Sequence, residues 1–440
     1  MLAINRDERE KALKVSVDVP VVEMTAGIEA RVVRNPQCIF TDHLKESISD
    51  AYHRLISPAI EREIRSALTE KADGHAIQVF ARNLKALLMT SPLKGKTILG
   101  IDPGFRTGCK AAVIDTTGKF LTGETIYPHE PQKQWNEAKS VLKRMIERLE
   151  VDVIAIGNGT ASRETEKLAA ELIGELDRQV QYAIVNEAGA SVYSASPVAK
   201  KEFPELEASL RGNISIARRL LDPLSDLVKI DPKSIGVGLY QHDVDQTKLA
   251  ETLDQVVESC VNAVGVDLNT ASSSLLRYVA GVNSRIADGI VESRETLGKF
   301  KKRDDLKKVK GLGEHTFQQC AGFLRIPESD CFYDATAVHP ESYPVAERLL
   351  KMLDLDPEKL KNQPVTIRNR MKERKITPDA ILAECGCGAQ TLEDIIASLE
   401  KPNRDPRDGM PKPILRSDVL SIEDLREGMV LKGTVRNVVE

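Results

Sequence analysis

The sequence predicts a multidomain, mainly α-helical chain with one α/β domain on a mixed sheet. Three observations carry that expectation. Apolar runs of strand length gather between residues 96 and 190, stretches of helical period fill most of the remainder, and 440 residues normally divide into about three domains. Ile98-Leu-Gly-Ile-Asp102 is an apolar strand ending in a carboxylate, which Pro103-Gly104 then turns toward the surface. Cys109 to Asp115 reads as a second strand and Lys119 to Tyr127 as a third, joined by short polar turns into an antiparallel meander. A helix from about Trp135 to Leu149 precedes Val151 to Ile156, an apolar run that suits a buried parallel strand and ends in Gly157-Asn158-Gly159. A helix from about Ser162 to Glu175 and a strand from Gln181 to Val185 follow, and Glu187 is again a carboxylate just past a strand.

This order is that of a ribonuclease H-like fold. It gathers Asp102, Asn158 and Glu187 at one sheet edge, with a further acid expected from Asp222 or Asp226 on the helix after Asn213. An active nuclease of this fold holds two metal ions with about three or four carboxylates, polarising the scissile phosphate and activating a water. Here the fourth strand ends in the neutral amide of Asn158, so these residues read as a vestigial set with no confident catalytic member and no expected metal or cofactor.

A formal net charge of −4 excludes a wholly basic surface, so any nucleic-acid contact is local. The densest basic run is Lys299, Lys301, Lys302, Arg303, Lys307, Lys308 and Lys310, immediately before Gly311-Leu-Gly313. Val279-Ala-Gly281-Val-Asn283 precedes it by about thirty residues, and each glycine bend leads into an amphipathic stretch, the pattern of a paired helix-hairpin-helix. Tight glycine turns leave amides at a helix start facing outward, where they and the helix dipole favour a phosphate oxygen. Neighbouring lysines add attraction that ignores base identity. Gly281, Asn283, Lys307, Lys308, Lys310, Gly311 and Gly313 are therefore the expected nucleic-acid contacts, with Asn283 standing where the second copy has glycine and tolerating the left-handed conformation.

The expected domains are a mostly helical scaffold over 1–95, the ribonuclease H-like domain over 96–239, the tandem helix-hairpin-helix over 240–330 and a helical domain over 331–401. A proline-rich linker over 402–424 follows, and 425–440 looks like the first strand of an OB-type RNA-binding barrel, as the family resemblance given below implies. Within the scaffold, Thr41 is the expected cap of a helix, Ile60 to Leu88 a long amphipathic run, and the alternation from Val15 to Val33 a pair of strands interrupted at Pro20.

Several function classes drop out on composition. No apolar run approaches the roughly eighteen residues of a membrane span, and no charged-then-apolar leader opens the chain. Seven cysteines without paired spacing fit reduced thiols in a cytoplasmic setting, Cys385-Gly-Cys387 included, and the seven histidines form no metal constellation. Aromatics at 4% are too few for a reader that stacks bases along a strand. Lys94-Gly-Lys-Thr97 lacks the upstream glycine of a P-loop and leads into a strand, and His242-Asp243 is read as structural.

The segments Leu2 to Arg6, Ile98 to Gly108, Ala155 to Gly159, Val185 to Ser194, Tyr240 to Val244, Asn262 to Asn269 and Asp334 to Tyr343 together resemble the Tex family of bacterial transcription accessory proteins. That resemblance spans nearly the whole chain. It implies a YqgF-type ribonuclease H-like core, binding to RNA or DNA linked to transcription without established turnover, and association with RNA polymerase or the ribosome. It also implies that the chain is a central fragment of a longer protein. The alternatives are a nuclease of the ribonuclease H or Holliday-resolvase type using Asp102, Glu187 and Asp222 with Mg²⁺ or Mn²⁺, and an ATP-binding module, for which a duplicated domain is missing.

Overall fold

The computed structural model describes residues 1–360, 367–401, 405–417 and 427–428. The chain divides into two compact units, Met1–Asn83 with Gly236–Leu253, and Leu84–Ile235 with Asp254–Glu440.

The first unit is helical: α1 (Leu2–Arg9), α2 (Val21–Val32), α3 (Thr41–Ala51), a π-helical turn at Tyr52–Ile56, and the start of α4 (Ser57–Leu88). The strands expected between Val15 and Val33 are instead α2. Pro20 does not interrupt a strand there but sits at the helix N-cap, where its fixed φ and missing N–H cost nothing, and Glu23, Met24, Ala26 and Ala30 favour the helix over the local alternation. Thr41 is the first helical residue rather than the cap, and its hydroxyl donates to the Asn35 carbonyl at 3.2 Å. Asp243 is held by Arg6 and Arg9, and the Arg6 guanidinium lies 4.9 Å from the centre of the Tyr240 ring.

The second unit contains a five-stranded sheet of β1 (Ile98–Asp102), β2 (Cys109–Ile114), β3 (Phe120–Ile126), β4 (Val153–Gly157) and β5 (Gln181–Val185), in the order β3-β2-β1-β4-β5. The first three strands pair antiparallel, and β4 joins β1 in parallel with β5 beyond it. Period-2 alternation sends Leu99 and Ile101 to the face covered by α5 (Trp135–Leu149) and α6 (Ser162–Gly174), where Leu142, Ile146 and Leu168 are fully buried. Each such side chain contributes about 1.5–3 kcal/mol by leaving water. Ile98, Ala155 and Ala183 face the other way, toward α7 (Ala190–Ala195) and α9 (Ala208–Leu221), with α8 (Pro197–Glu202) between those two helices in sequence and α10 (Pro223–Leu227) after them. Gly100 lies under α9 because a Cβ there would stand 2.9 Å from the Asn213 carbonyl. Asp102 shares the strand face of Ile98 and Gly100, so it points to the α9 side of the sheet.

Beyond the sheet come α11 (Gln246–Val264), α12 (Ser273–Leu276), α13 (Ser284–Leu297), a 3₁₀ turn at Arg303–Lys308, and α14 (Glu314–Cys320). A short parallel pair, β6 (Val266–Asp267) with β7 (Leu324–Arg325), ties this region together. The helices α15 (Tyr343–Leu353), α16 (Pro357–Leu360), α17 (Ile367–Glu373), α18 (Pro378–Cys385) and α19 (Ala389–Glu400) then pack around Leu349, Ile381, Leu392 and Ile396.

Residues 405–417, read from composition as part of an extended linker, are docked. Arg407 is 2% exposed and donates to Asp405 and to Asp222. Arg416 exchanges both backbone hydrogen bonds with Tyr182 on β5, at 2.7 and 2.9 Å. The barrel strand expected over 425–440 lies outside the described residues except for Glu427 and Gly428.

Candidate functional site

The two glycine bends have one geometry. Val282 N–H donates to the Val279 carbonyl at 2.9 Å, and Leu312 N–H to the Val309 carbonyl at 3.1 Å. The third residue of each turn is a glycine at positive φ, +81° for Gly281 and +89° for Gly311. These are type II turns, which require a residue without a Cβ penalty at that place. One buried apolar residue follows in each bend, Val282 or Leu312, and then the residue that opens the next helix. Asn283 and Gly313 do not take the left-handed role expected of them: both are extended, at φ −91° and −85°, and both are N-caps. Asparagine fits there because its Oδ1 accepts the Ile286 amide at 3.0 Å. Gly313 offers no such side chain, which leaves the amides starting α14 without one.

The bends differ in what stands against them. A Cβ at Gly281 would come within 2.8 Å of Gln319 Cβ, whereas around Gly311 there is open space. Lys310 is exposed beside Gly311, with no carboxylate partner among the described residues. Lys308 pairs with Asp305 at 2.7 Å, and Lys307 lies 3.3 Å from Glu314 and 4.5 Å from the centre of the Phe317 ring. Arg303, counted from sequence in the same basic run, is 1% exposed and belongs to the core. Its guanidinium donates to the carbonyls of Leu324, Thr336 and Val338 and to the Tyr343 hydroxyl.

Two features escaped the sequence reading. Arg285, on the first turn of α13, is exposed and has no carboxylate partner among the described residues. A third bend of related spacing lies at Gly386-Cys-Gly388, where Gly386 has φ +66° at the end of α18 and Gly388 N-caps α19. The signal was present in the Gly-x-Gly spacing, but the flanking cysteines drew the reading to thiols. This third bend carries no Lys, Arg or His between residues 376 and 400, so it lacks the charge that the other two offer a polyanion.

At the sheet edge the structure brings together Asp102, Asn158 and Glu187. Asn158 Oδ1 accepts the Glu187 amide at 3.1 Å, so it is a tie within the loop. The Glu187 carboxylate fills the space beside Gly157 and Gly159, where a Cβ at Gly159 would stand 1.9 Å from Oε1. Burial pushes its carboxyl above the usual carboxylate range, and the like charge of Asp102 adds to that against a hydrogen bond from the Gly159 amide. Burial likewise raises Asp102, tempered by Lys110. Asp222 does not turn to this cluster: it caps α10, accepts from the Ser225 hydroxyl at 2.9 Å and pairs with Arg407 at 2.6 Å. Asp226 is 2% exposed and bound to Ser215 at 2.6 Å and Arg219 at 3.3 Å.

The paired cations associated with this fold need about three or four carboxylates. Two remain turned to the cluster, and among the described residues no three His, Cys, Asp or Glu side chains converge on a point. The donor set does not fit a metal pair.

Comparison with known proteins agrees with this architecture. A model of the Tex protein YqgF-like domain matches residues 96–221, a helix-hairpin-helix motif matches 261–325, and an HHH domain matches 332–407, the region read from sequence only as helical. The uncharacterized protein YdcI of Bacillus subtilis is 50% identical over 440 residues, covering all of this chain and 61% of that protein. The transcriptional accessory protein Tex of Neisseria gonorrhoeae is 45% identical over 443 residues, 99% of this chain and 57% of that protein. The human S1 RNA-binding domain-containing protein 1 is 38% identical over 502 residues, 99% of this chain and 50% of that protein. The chain therefore spans about half to three-fifths of the length of these relatives. A YqgF-like sheet followed by helix-hairpin-helix regions in this order, with relatives of this closeness, makes the chain a member of the Tex family.

Proposed function

We propose that this chain grips the sugar-phosphate backbone of RNA or DNA through its helix-hairpin-helix region, without reading bases, in a transcription accessory role. The observation that carries this reading is the open type II turn at Gly311 with the unpaired Lys310 beside it. A phosphate oxygen can approach that backbone closely, and the lysine supplies the Coulombic attraction. On this reading Gly281, Asn283, Lys307, Lys308 and Gly313 are the further backbone contacts, and Arg285 adds a charge beside Asn283.

On this reading the ribonuclease H-like domain is a scaffold without turnover, metal or cofactor. The loss of Asp222 and Asp226 to internal partners supports that. Seven unpaired cysteines, and the lack among the described residues of a helix long and apolar enough to cross a membrane, support a cytoplasmic setting. RNA polymerase or the ribosome as partner is carried by the family resemblance.

The test is a salt titration of binding to labelled RNA and DNA duplexes and single strands of unrelated sequence. Log affinity should fall linearly with log salt, and Lys310→Glu should weaken binding to every sequence alike. A flat salt response, or a loss confined to one sequence, sinks the reading.

A further inference from the structure

Arg219 on α9 is 5% exposed, and its donors are arranged around the loop that carries Glu187. Nε donates to Asp226, and Nη1 donates to the carbonyls of Asn186 at 2.8 Å and Ala188 at 2.7 Å, the residues on either side of Glu187. Nη2 is buried with no hydrogen-bond partner, and so is Glu187 Oε2. With Nη1 on the carbonyls that flank Glu187, the opposite charges favour each other: Arg219 draws the Glu187 carboxyl down against the burial that raises it, and Glu187 helps hold the guanidinium charged. A guanidinium is a fixed positive charge that cannot be titrated away.

We propose that Arg219 is the resident cation of the strand-end pocket: it occupies the electrostatic role a divalent ion takes in metal-dependent relatives of this fold, and its charge keeps such an ion out. The inference concerns the sheet domain alone, so its failure and that of the hairpin reading are separable. Asn158 is the other departure from a metal-binding set, and the two make different predictions. If the missing carboxylate alone explains the pocket, restoring it restores the ion. If Arg219 governs, restoring the acid is not enough.

The experiment measures Mn²⁺ binding to the full chain by electron paramagnetic resonance of the free ion, for the wild type, Asn158→Asp, and Asn158→Asp combined with Arg219→Gln and Asp226→Asn. The third variant removes the buried ion pair as a unit, so that neither charge is left alone. Asn158→Asp should bind Mn²⁺ no tighter than wild type, within about twofold, and the combined variant at least tenfold tighter than Asn158→Asp. Tenfold tightening in Asn158→Asp alone overturns the proposal, as does a combined variant with a cooperative melt that binds no better than Asn158→Asp. Should the combined variant not fold, the Asn158→Asp arm still decides, because it keeps Arg219 and Asp226 in place.

Discussion

Arg407 Nη1 stands 2.6 Å from Asp222 Oδ1, so the carboxylate that sequence order assigns to a metal site is neutralised by a residue far along the chain. The same guanidinium donates through Nη2 to Asp405 Oδ2 at 2.9 Å, and Lys94 closes the network on that oxygen at 2.9 Å. Breaking one side of a buried pair leaves the other charge uncompensated, typically at about 3–5 kcal/mol. Arg407→Met should therefore lower the urea-unfolding free energy by several kcal/mol. A loss under about 1 kcal/mol would show the network to be incidental.

Two cations of one basic run should behave in opposite ways. Arg303→Met removes donors to the carbonyls of Leu324, Tyr333, Thr336 and Val338 and to the Tyr343 hydroxyl and should cost at least about 2 kcal/mol, since buried acceptors left unmade cost about 1–3 kcal/mol each. Lys310→Ala should leave the melting temperature unchanged and lower the log–log salt slope of nucleic-acid binding by about 0.7–0.9, one phosphate contact. Equal thermal effects of the two substitutions would refute this division.

The glycines of the two bends should rank by their surroundings. Gly311→Ala meets open space, so only the positive φ opposes it, at about 1–2 kcal/mol. Gly281→Ala faces the same conformational cost and in addition a Cβ 2.8 Å from Gln319. Chemical denaturation should find Gly281→Ala the more destabilising, and the reverse order would contradict the packing.

Stability should carry a pH signature of the strand-end acids. Burial, with mutual repulsion at Glu187, raises both folded carboxyls above their unfolded values, so their stabilising contribution is full below the unfolded pKa and fades as pH rises through the folded pKa. Glu187→Gln and Asp102→Asn should thus gain stability relative to wild type near pH 7 and gain none near pH 3. Melts across that interval check the sign.

The sheet was legible because period-2 burial and short turns leave few alternatives for β1 to β5. What the sequence hid lies in long-range partners. Nothing local to Arg303 distinguishes it from the lysines around it, and its burial follows from carbonyls at 324, 336 and 338 that only the folded chain brings together. Arg407 sat in a stretch whose prolines and charges read as a tether, yet Asp222 and Asp405 give it a reason to dock. Asn283 was placed correctly in the bend for the wrong reason, since capping and left-handed backbone both favour asparagine and composition cannot tell them apart. In the first unit, helix-forming residues overrode a weak alternation because Pro20 is compatible with a helix start.

The backbone pairing of Arg416 with Tyr182 has a bearing on assembly. An outer strand such as β5 offers ready docking for foreign chains, and proteins protect themselves by covering that rim. Here the covering comes from the molecule's own later sequence, which occupies the rim near its start, at the second of five residues, and leaves intruding strands too short a free stretch to zip onto.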